Sequence, residues 1–578
     1  MSSQEPKTGF VFTVGLTGHR DISVAAMADV RAALRTELEA LKARFTSLSV
    51  ELVTGLAEGA DTLATEIALE IGMPVRAVLP MPRSMFEADF EGAALERFRR
   101  FADDGRVAVE ELPLPADETN EDFSTGPARD RLYGRLMDYL VRRSNVLIAL
   151  WDGKVTGLTG GSSDVVIRYL SVSEAQASRT RAYKTIDDPD LAEDKSDLVI
   201  WIDTPRQSGN SGPEGGRTAY LVQAGTTGLL CHLSKMPEFV LQRWNQFDDY
   251  AAELGSETGV DLAAYPLTVN GDSEITGIAA AIDLDFVRAD QLALANQLQS
   301  DRLFKLFGLM AALMGLTFLL YAKIAALKWF LITYVVLFAA GYALFSIGAR
   351  RGWFGRHLAF RALAEVLRIR FFLALSGSGS EVPIRRLLRL TSIERFKGFG
   401  WIGDAIRCTE PLTYESEVPI EKRIAETWKR WVKDQSDYFR KKHHQLHIQH
   451  ERLENVKRIL FLAAFLGAVS LLFFKKTLYG FHLGDVDGKT LVVFLMGLLP
   501  LWLAIWEIYQ TKMATRELLW QYNNQGKLFE VAEKRLAASL DPTHAKDVIA
   551  DLAERSLMDV IQWSTHRYHR EHEPPSAG

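Results

Sequence analysis

Four uncharged apolar stretches in the second half of the chain limit what it can fold into. Leu306–Ala322 is bounded by Lys305 and Lys323, Trp329–Ala349 by Lys328 and Arg350, Ile459–Phe474 by Arg458 and Lys475, and Thr490–Trp506 by Lys489 and Glu507. They run to about 16–21 residues, against the roughly 20 that a helix needs to cross a hydrocarbon core. The third is the shortest and relies on its flanking cations to snorkel to the interface. The competing reading is a pair of buried helical hairpins in a water-soluble protein. Two tight hairpins with basic flanks and almost no internal polar groups are hard to bury that way, so the pattern predicts two pairs of membrane-spanning helices.

An even number of spans puts both ends on one side. Residues 350–458, between the pairs, carry about ten more Lys and Arg than Asp and Glu, which assigns that segment to the cytoplasm. The links at 323–328 and 475–489 would face outward, although both carry lysine. The N-terminus, MSSQEPKTGFVFTVGLTGHRD, has too short an apolar run for a signal peptide. The expectation is a multi-pass protein of the inner or cell membrane with both termini cytoplasmic.

With 578 residues the chain has room for two to four domains. Its only cysteines, Cys231 and Cys408, exclude a disulfide framework and fit a reducing compartment. No Cys-x-x-Cys pattern occurs, and the mild net charge of −6 gives no reason to expect nucleic-acid binding.

The first 205 residues have a different rhythm. Phe10–Leu16 is a β-rich run closed by Thr17-Gly18-His19-Arg20, and Val24 to about Phe45 has helical spacing. Strands follow at Val50–Thr54, Val75–Leu79, Val146–Trp151 and Leu198–Asp203. Helices are expected at Thr62–Ile71, at Arg135–Arg143 and from Gly160-Gly161 to Leu170. Strands alternating with helices predict an α/β, Rossmann-like, doubly wound parallel sheet, followed by an all-α membrane region with four spans. A glycine-rich loop (QSGNSGPEGGR) and an amphipathic helix at Pro237–Leu254 follow, and a polar-to-leucine helix at Asp283–Leu303 runs directly into the first span.

In such sheets ligands bind beyond the carboxyl ends of the strands, and three glycine turns are expected there. The first is Gly15-Leu16-Thr17-Gly18-His19-Arg20, the second Gly55 to Asp61 with Gly59 inside it, and the third Gly160-Gly161-Ser162-Ser163-Asp164. Helix N-termini offer amides to phosphate, glycine permits close approach, and Arg20 could grip a phosphate with two donors. Each turn alone is also what ordinary strand–helix geometry produces. No Walker loop and no GxGxxG pattern is present.

VTGLAEGADTLATEIALEIGMPVRAVLP is similar to the core motif of the SMF/DprA-LOG, or SLOG, superfamily. VGLTGHRD resembles that superfamily's first-strand nucleotide loop, and VLIALWDGK followed by GGSSDVV resembles its late strand and closing turn. The resemblance covers about residues 10–180, with an outer bound at 282. It implies a Rossmann-like domain that binds a nucleotide or nucleotide-derived messenger. Carried over by motif, the ligand positions are Gly15, Thr17, Gly18, His19, Arg20, Gly55, Gly59, Asp61, Gly160, Gly161, Ser162 and Ser163, and Asp152 joins them at the end of the VLIALWDGK strand. Some members hydrolyse a nucleoside monophosphate through a PGGxGTxxE turn whose glutamate is catalytic. This chain reads TGGSSDVVI and lacks that glutamate. Asp164 could stand in as the carboxylate, with a helix cap as its other reading, and His19, Asp61 and Asp152 are the other groups that could do acid–base work. No cofactor beyond the ligand is expected.

In the membrane half, RWVKDQSDYFRKKHHQ resembles the tryptophan–aspartate–glutamine–tyrosine lead-in of SLATT domains, and FRALAEVLRIRFF and WQYNNQGKLFEVAEKRL look like their flanking helices. SLATT domains are two-span modules found beside SLOG domains in bacterial conflict systems. The likeness implies a nucleotide-binding domain over 1–282 and a first module over 283–457, with spans 306–322 and 329–349. A second module then covers 458–578, with spans 459–474 and 490–506 and a lead-in helix from about 420. The implied function is a signal-gated membrane effector, working as a homo-oligomer. A membrane-tethered nucleotide or N-glycosidic hydrolase and a non-enzymatic scaffold are the alternatives.

Other residues have bland readings. His443, His447 and His450 share a helix face but sit among cations and read as solvated. His566, His569 and His572 belong to a terminal tail. Pro500 is expected to kink the fourth span. Trp151 and Trp201 could stack on a base or belong to the core.

Overall fold

The computed structural model describes residues 10–115, 123–157, 160–170, 197–208, 215–224, 229–256, 266–267, 280–378, 399–408, 418–484, 486–513, 515–539 and 541–571. His572 and part of the glycine-rich loop, residues 209–214, lie outside them. The chain divides into two units. The first comprises Met1–Asp285 with Val382–Glu417, and the second Phe286–Glu381 with Val418–Gly578.

The first unit is built on eight strands: β1 (Val11–Gly18), β2 (Ser49–Thr54), β3 (Val75–Leu79), β4 (Val107–Glu111), β5 (Val146–Trp151), β6 (Val199–Asp203), β7 (Thr218–Ala224) and β8 (Leu229–Leu233). Their order is β4-β3-β2-β1-β5-β6-β7-β8. Pairing is parallel from β4 through β6, and β7 and β8 add antiparallel strands at one edge. The α/β class expected from the alternation is therefore present. β5 is buried at all six residues, as a central parallel strand covered on both faces should be. Helices α1 (Met27–Arg44), α2 (Ala60–Glu70), α3 (Gly92–Ala102), α4 (Gly126–Arg143), α5 (Ser162–Leu170) and α6 (Glu238–Ser256) belong to the same unit.

β1 is flanked by β2 on one side and β5 on the other, so the winding direction reverses between β1 and β5. Their carboxyl ends meet in register at Gly18 and Leu150. This is the topological switch point, where α/β sheets open a crevice.

The second unit is helical. α7 (Ala280–Leu319), α8 (Lys328–Arg351), α9 (Trp353–Ser376), α11 (Ile420–Thr427), α12 (Asp434–Phe473), α13 (Gly488–Met513), α14 (Thr515–Ala538) and α15 (Pro542–Glu571) carry it, α7 having its first turn in the first unit. Helix α10 (Trp401–Cys408), between α9 and α11 in the chain, is in the first unit. Among the described residues, four helical segments are long and apolar enough to cross a membrane: Ile282–Ile324, Lys328–Ser376, Ile420–Phe473 and Gly488–Gln510. The chain is thus a multi-pass membrane protein. The expected second and fourth helices begin where the composition placed them, and Pro500 lies inside a continuous α13.

Small residues mark where these helices meet. Gly348 of α8 lies against Leu303 of α7, Gly315 of α7 against Leu501 of α13, and Gly467 of α12 against Met496 of α13. Such close approach is how helices associate in lipid, where burying apolar surface gains little. The link after the third span is a helical turn, Lys475–Gly480, and a two-residue hairpin, His482–Leu483 with Val486–Asp487.

Candidate functional site

The three glycine turns come together at the β1/β5 edge, each for a local reason. Gly18 ends β1 where a Cβ would overlap Ala60 of α2 and Leu150 of β5. Beyond it, the backbone N–H of His19 donates to the Leu150 carbonyl at 3.0 Å, and the His19 carbonyl accepts from Ala60 N–H at 3.0 Å. Gly59 caps α2 with φ of +82°, and a side chain there would strike the backbone of His19 and Arg20. The second turn is therefore a platform for the first. Leu56, a non-glycine at φ of +55°, holds the turn with its N–H on Thr54 Oγ1 at 3.2 Å. Left-handed backbone at such a residue is strained.

His19 and Asp152 bridge the switch point. His19 Nε2 accepts from the Asp152 backbone N–H at 2.9 Å and lies 3.2 Å from Asp152 Oδ1. Both side chains are buried. Burial pushes the Asp152 carboxyl up, but His19, the Lys154 N–H and the Lys154 charge outweigh it and hold it below the usual range.

Arg20 is exposed at the lip, with its guanidinium 5.5 Å from the centre of the Tyr133 ring. Burial lowers its pKa, yet Tyr133, Asp89 and Asp61 raise it further, so the charge is secure. The Tyr133 hydroxyl bonds Asp89, which Arg129 also holds at 2.7 Å. The backbone of Tyr133 lies against Gly160, where a Cβ would come within 3.1 Å of it. Tyr133 thus joins the first turn to the third.

In the third turn Asp164 accepts from Gly160 N–H at 3.1 Å and pairs with Arg168 at 3.1 Å. That is a capping role. Ser163 is buried, with Oγ 3.3 Å from Thr156 Oγ1, and the Gly161 carbonyl accepts from Val165 N–H at 3.0 Å. Ser162 opens α5 at intermediate exposure.

Asp61 is buried at the start of α2, with Oδ2 accepting from Ala57 N–H at 3.1 Å. Desolvation pushes its pKa to about 6, against the pull of the Ala57 amide, Arg20, Thr54 and the Gly55 amide. Gly55 leaves room for that carboxylate, since a Cβ would sit 3.1 Å from Oδ2. Thr17 is buried on β1 opposite Ala149.

Gly15 does not join this group. It is inside β1, paired with Val53 and Leu147, and its missing side chain makes room for Ser144 at the opposite end of the sheet. Trp151 is fully buried with Nε1 on the Lys154 carbonyl, and Trp201 packs against it, donating to its carbonyl. Trp151 is thus a core residue, and Trp201 is partly buried against that core. On α12 the His443 and His447 rings are 6.0 Å apart, and His447 lies 3.7 Å from Glu451. Among the described residues no group of three or more His, Cys, Asp or Glu could hold a metal ion.

Sequence reasoning missed Tyr133, Asp89, Arg129 and Thr156. None lies in a glycine turn, and Tyr133 faces the site only because α4 begins at Gly126, nine residues before the helix legible in the sequence.

Chemically the edge offers a fixed cation with an aromatic backing, a helix start at Gly160–Ser163, and a buried imidazole–carboxylate pair. These suit an anionic ligand with a planar or hydroxylated part. The chain matches no family model and no curated protein.

Proposed function

We propose that the first unit is a SLOG-like domain that binds a nucleotide or nucleotide-derived messenger at the β1/β5 edge, and that the spanning helices act on the membrane in response. The carrying observation is the convergence of Arg20–Tyr133, His19–Asp152 and Gly160 at the switch point of a chain that also has four spanning helices. In this reading phosphate meets Arg20 and the start of α5. The first amides of α2 are already taken by the carbonyls of His19 and Ala57. The chain crosses between its units three times, after Asp285, Glu381 and Glu417, so a change at the site has three covalent routes to the spans. Ligand must bind two states unequally for this to work. The setting is an inner membrane, both termini in the cytoplasm, with the protein working as a homo-oligomer in bacterial conflict or antiphage defence.

Full-length protein in detergent, incubated with nucleotides, cyclic oligonucleotides and NAD-derived compounds, tests this by thermal shift and mass spectrometry of the same samples. Saturable stabilisation lost in Arg20→Ala, without turnover, is the expected result. Product formation would replace it with the hydrolase reading, for which Asp61, held at a pKa of about 6 beside Arg20, is the available acid–base group. Unchanged binding in Arg20→Ala would remove this edge as the site.

A further inference from the structure

Helices α12 and α13 touch at Gly467 and Met496, where a Cβ on the glycine would lie 3.2 Å from the methionine side chain. From there toward Lys457 they part around a cavity of about 560 Å³. Sites that hold small organic ligands occupy roughly 300–1,000 Å³. The walls are apolar, with Leu460 and Ala464 on α12 facing Leu503 and Ala504 on α13. Pro500 is also in the wall, and it has no N–H to offer the carbonyl of Met496.

Lys457 and Glu507 close one end. Lys457 bonds both Glu507 and Glu454, and Arg516 lies 3.9 Å from Glu454. Among the described residues, these contacts join two cations to two carboxylates. Of these, Glu507 and Arg516 are the exposed members, at 52% and 71% of their side chains, whereas Lys457 is at 13%.

Length decides what fits. From Lys457 to Gly467 is ten residues of helix, roughly 15 Å at 1.5 Å per residue. A hydrocarbon core of about 30 Å has leaflets of half that depth. The groove therefore runs from a charged interface to the middle of the bilayer. Phe461 and Phe465 at its side are exposed, so it opens laterally, toward lipid.

We propose that this groove is a binding site for one acyl chain of a zwitterionic glycerophospholipid, the headgroup phosphate meeting Arg516 and the ammonium meeting Glu507. The paired charges at the mouth complement a headgroup with one charge of each sign, and the closed inner end limits the tail to one leaflet. The site is independent of what the sheet unit binds.

The test uses full-length protein in nanodiscs containing a phosphatidylethanolamine with a photoactivatable group on one acyl chain, or a phosphatidylglycerol with the same tail. Labelled positions are mapped by mass spectrometry. Expected is labelling of 460–465 and 499–504 several-fold above that of 332–347, which is equally apolar and also exposed, with ethanolamine lipid preferred. Ala464→Phe and Ala504→Phe fill the groove and reduce the labelling several-fold, while Leu462→Phe, outside the lining, leaves it unchanged. Wild-type labelling that merely follows exposure along all four spans would overturn the site, whatever the variants do. Cross-links from the groove to a second chain would overturn the lipid as its occupant. Preference for the glycerol lipid would overturn the headgroup assignment.

Discussion

Trp401 in the sheet unit and Trp329 in the helical unit are large aromatics a few residues from basic segments, yet one is fully buried and the other 75% exposed. Trp401 stacks on Tyr250 at 4.4 Å and on Phe247 at 6.1 Å. Trp329 opens a spanning helix. In the sheet unit water drives apolar groups inward. In the spans the solvent is itself apolar, so their most hydrophobic windows are at most 11% buried within the protein and cohesion falls to close packing at glycines. The same composition thus signals opposite environments, and exposure alone does not separate surface from interior in this chain.

The comparison predicts unequal penalties. Trp401→Ala empties a site in the sheet unit's core and should cost about 3–5 kcal/mol, read as a lowered melting temperature of that unit in full-length protein. A cost near zero would mean that α10 does not hold the unit together.

The buried Asp61 should give the sheet unit a pH dependence. Its folded pKa is raised from 3.8 to about 6, so between those values the folded chain keeps a proton that the unfolded chain releases. That contribution is complete below pH 3.8 and is lost as pH rises through 6. It reaches about 3 kcal/mol, at roughly 1.36 kcal/mol per unit. Asp61→Asn should flatten the slope in denaturant titrations across this window, and an unchanged slope would assign it to another group.

Glycines sharpen the contrast. Gly59→Ala forces a left-handed residue against the backbone of His19 and Arg20 and should cost about 1–3 kcal/mol, with no neighbouring substitution able to rescue it. Gly315→Ala meets only the end of the Leu501 side chain. Its cost should be smaller, and Leu501→Ala should relieve it in a double-mutant cycle in detergent. Equal behaviour of the two glycines would erase the distinction.

The smallest effect belongs to Trp329→Ala, within about 0.5 kcal/mol as for other non-core positions. A loss comparable to that of Trp401→Ala would show that this face is covered in an oligomer.

Much of this architecture was legible residue by residue. β3 and β5 match their apolar runs, and α2 and α5 start at their glycine turns. β4 was not legible, because Val107–Glu111 ends in two glutamates at the sheet edge. The pair β7 and β8 escaped because Thr218–Ala224 follows a glycine-rich loop and shows no alternation strong enough to stand out. At the site, Gly18, Gly59 and Gly160 were found by pattern. Gly15 has the same pattern and another purpose, since glycine accommodates a close neighbour in mid-strand as well as in a turn.

Local pattern by itself determined the sheet class, the four spans and the three site turns, because periodicity and apolar length act over a few residues. Only the tertiary structure decided where distant residues meet. α10, which lies between the two pairs of spans in the chain, belongs to the sheet unit, at the end opposite the site. Asp404 pairs with Arg243 at 3.1 Å, and Arg407 donates to the carbonyls of Val141 and Ser144 at 2.7 Å and to Asp197 at 2.8 Å. Asn145 links the Asp404 carbonyl to Thr13 of β1. These partners are more than 130 positions apart, and buried charges are stable only when every donor and acceptor is met at once. No short stretch of sequence records that condition.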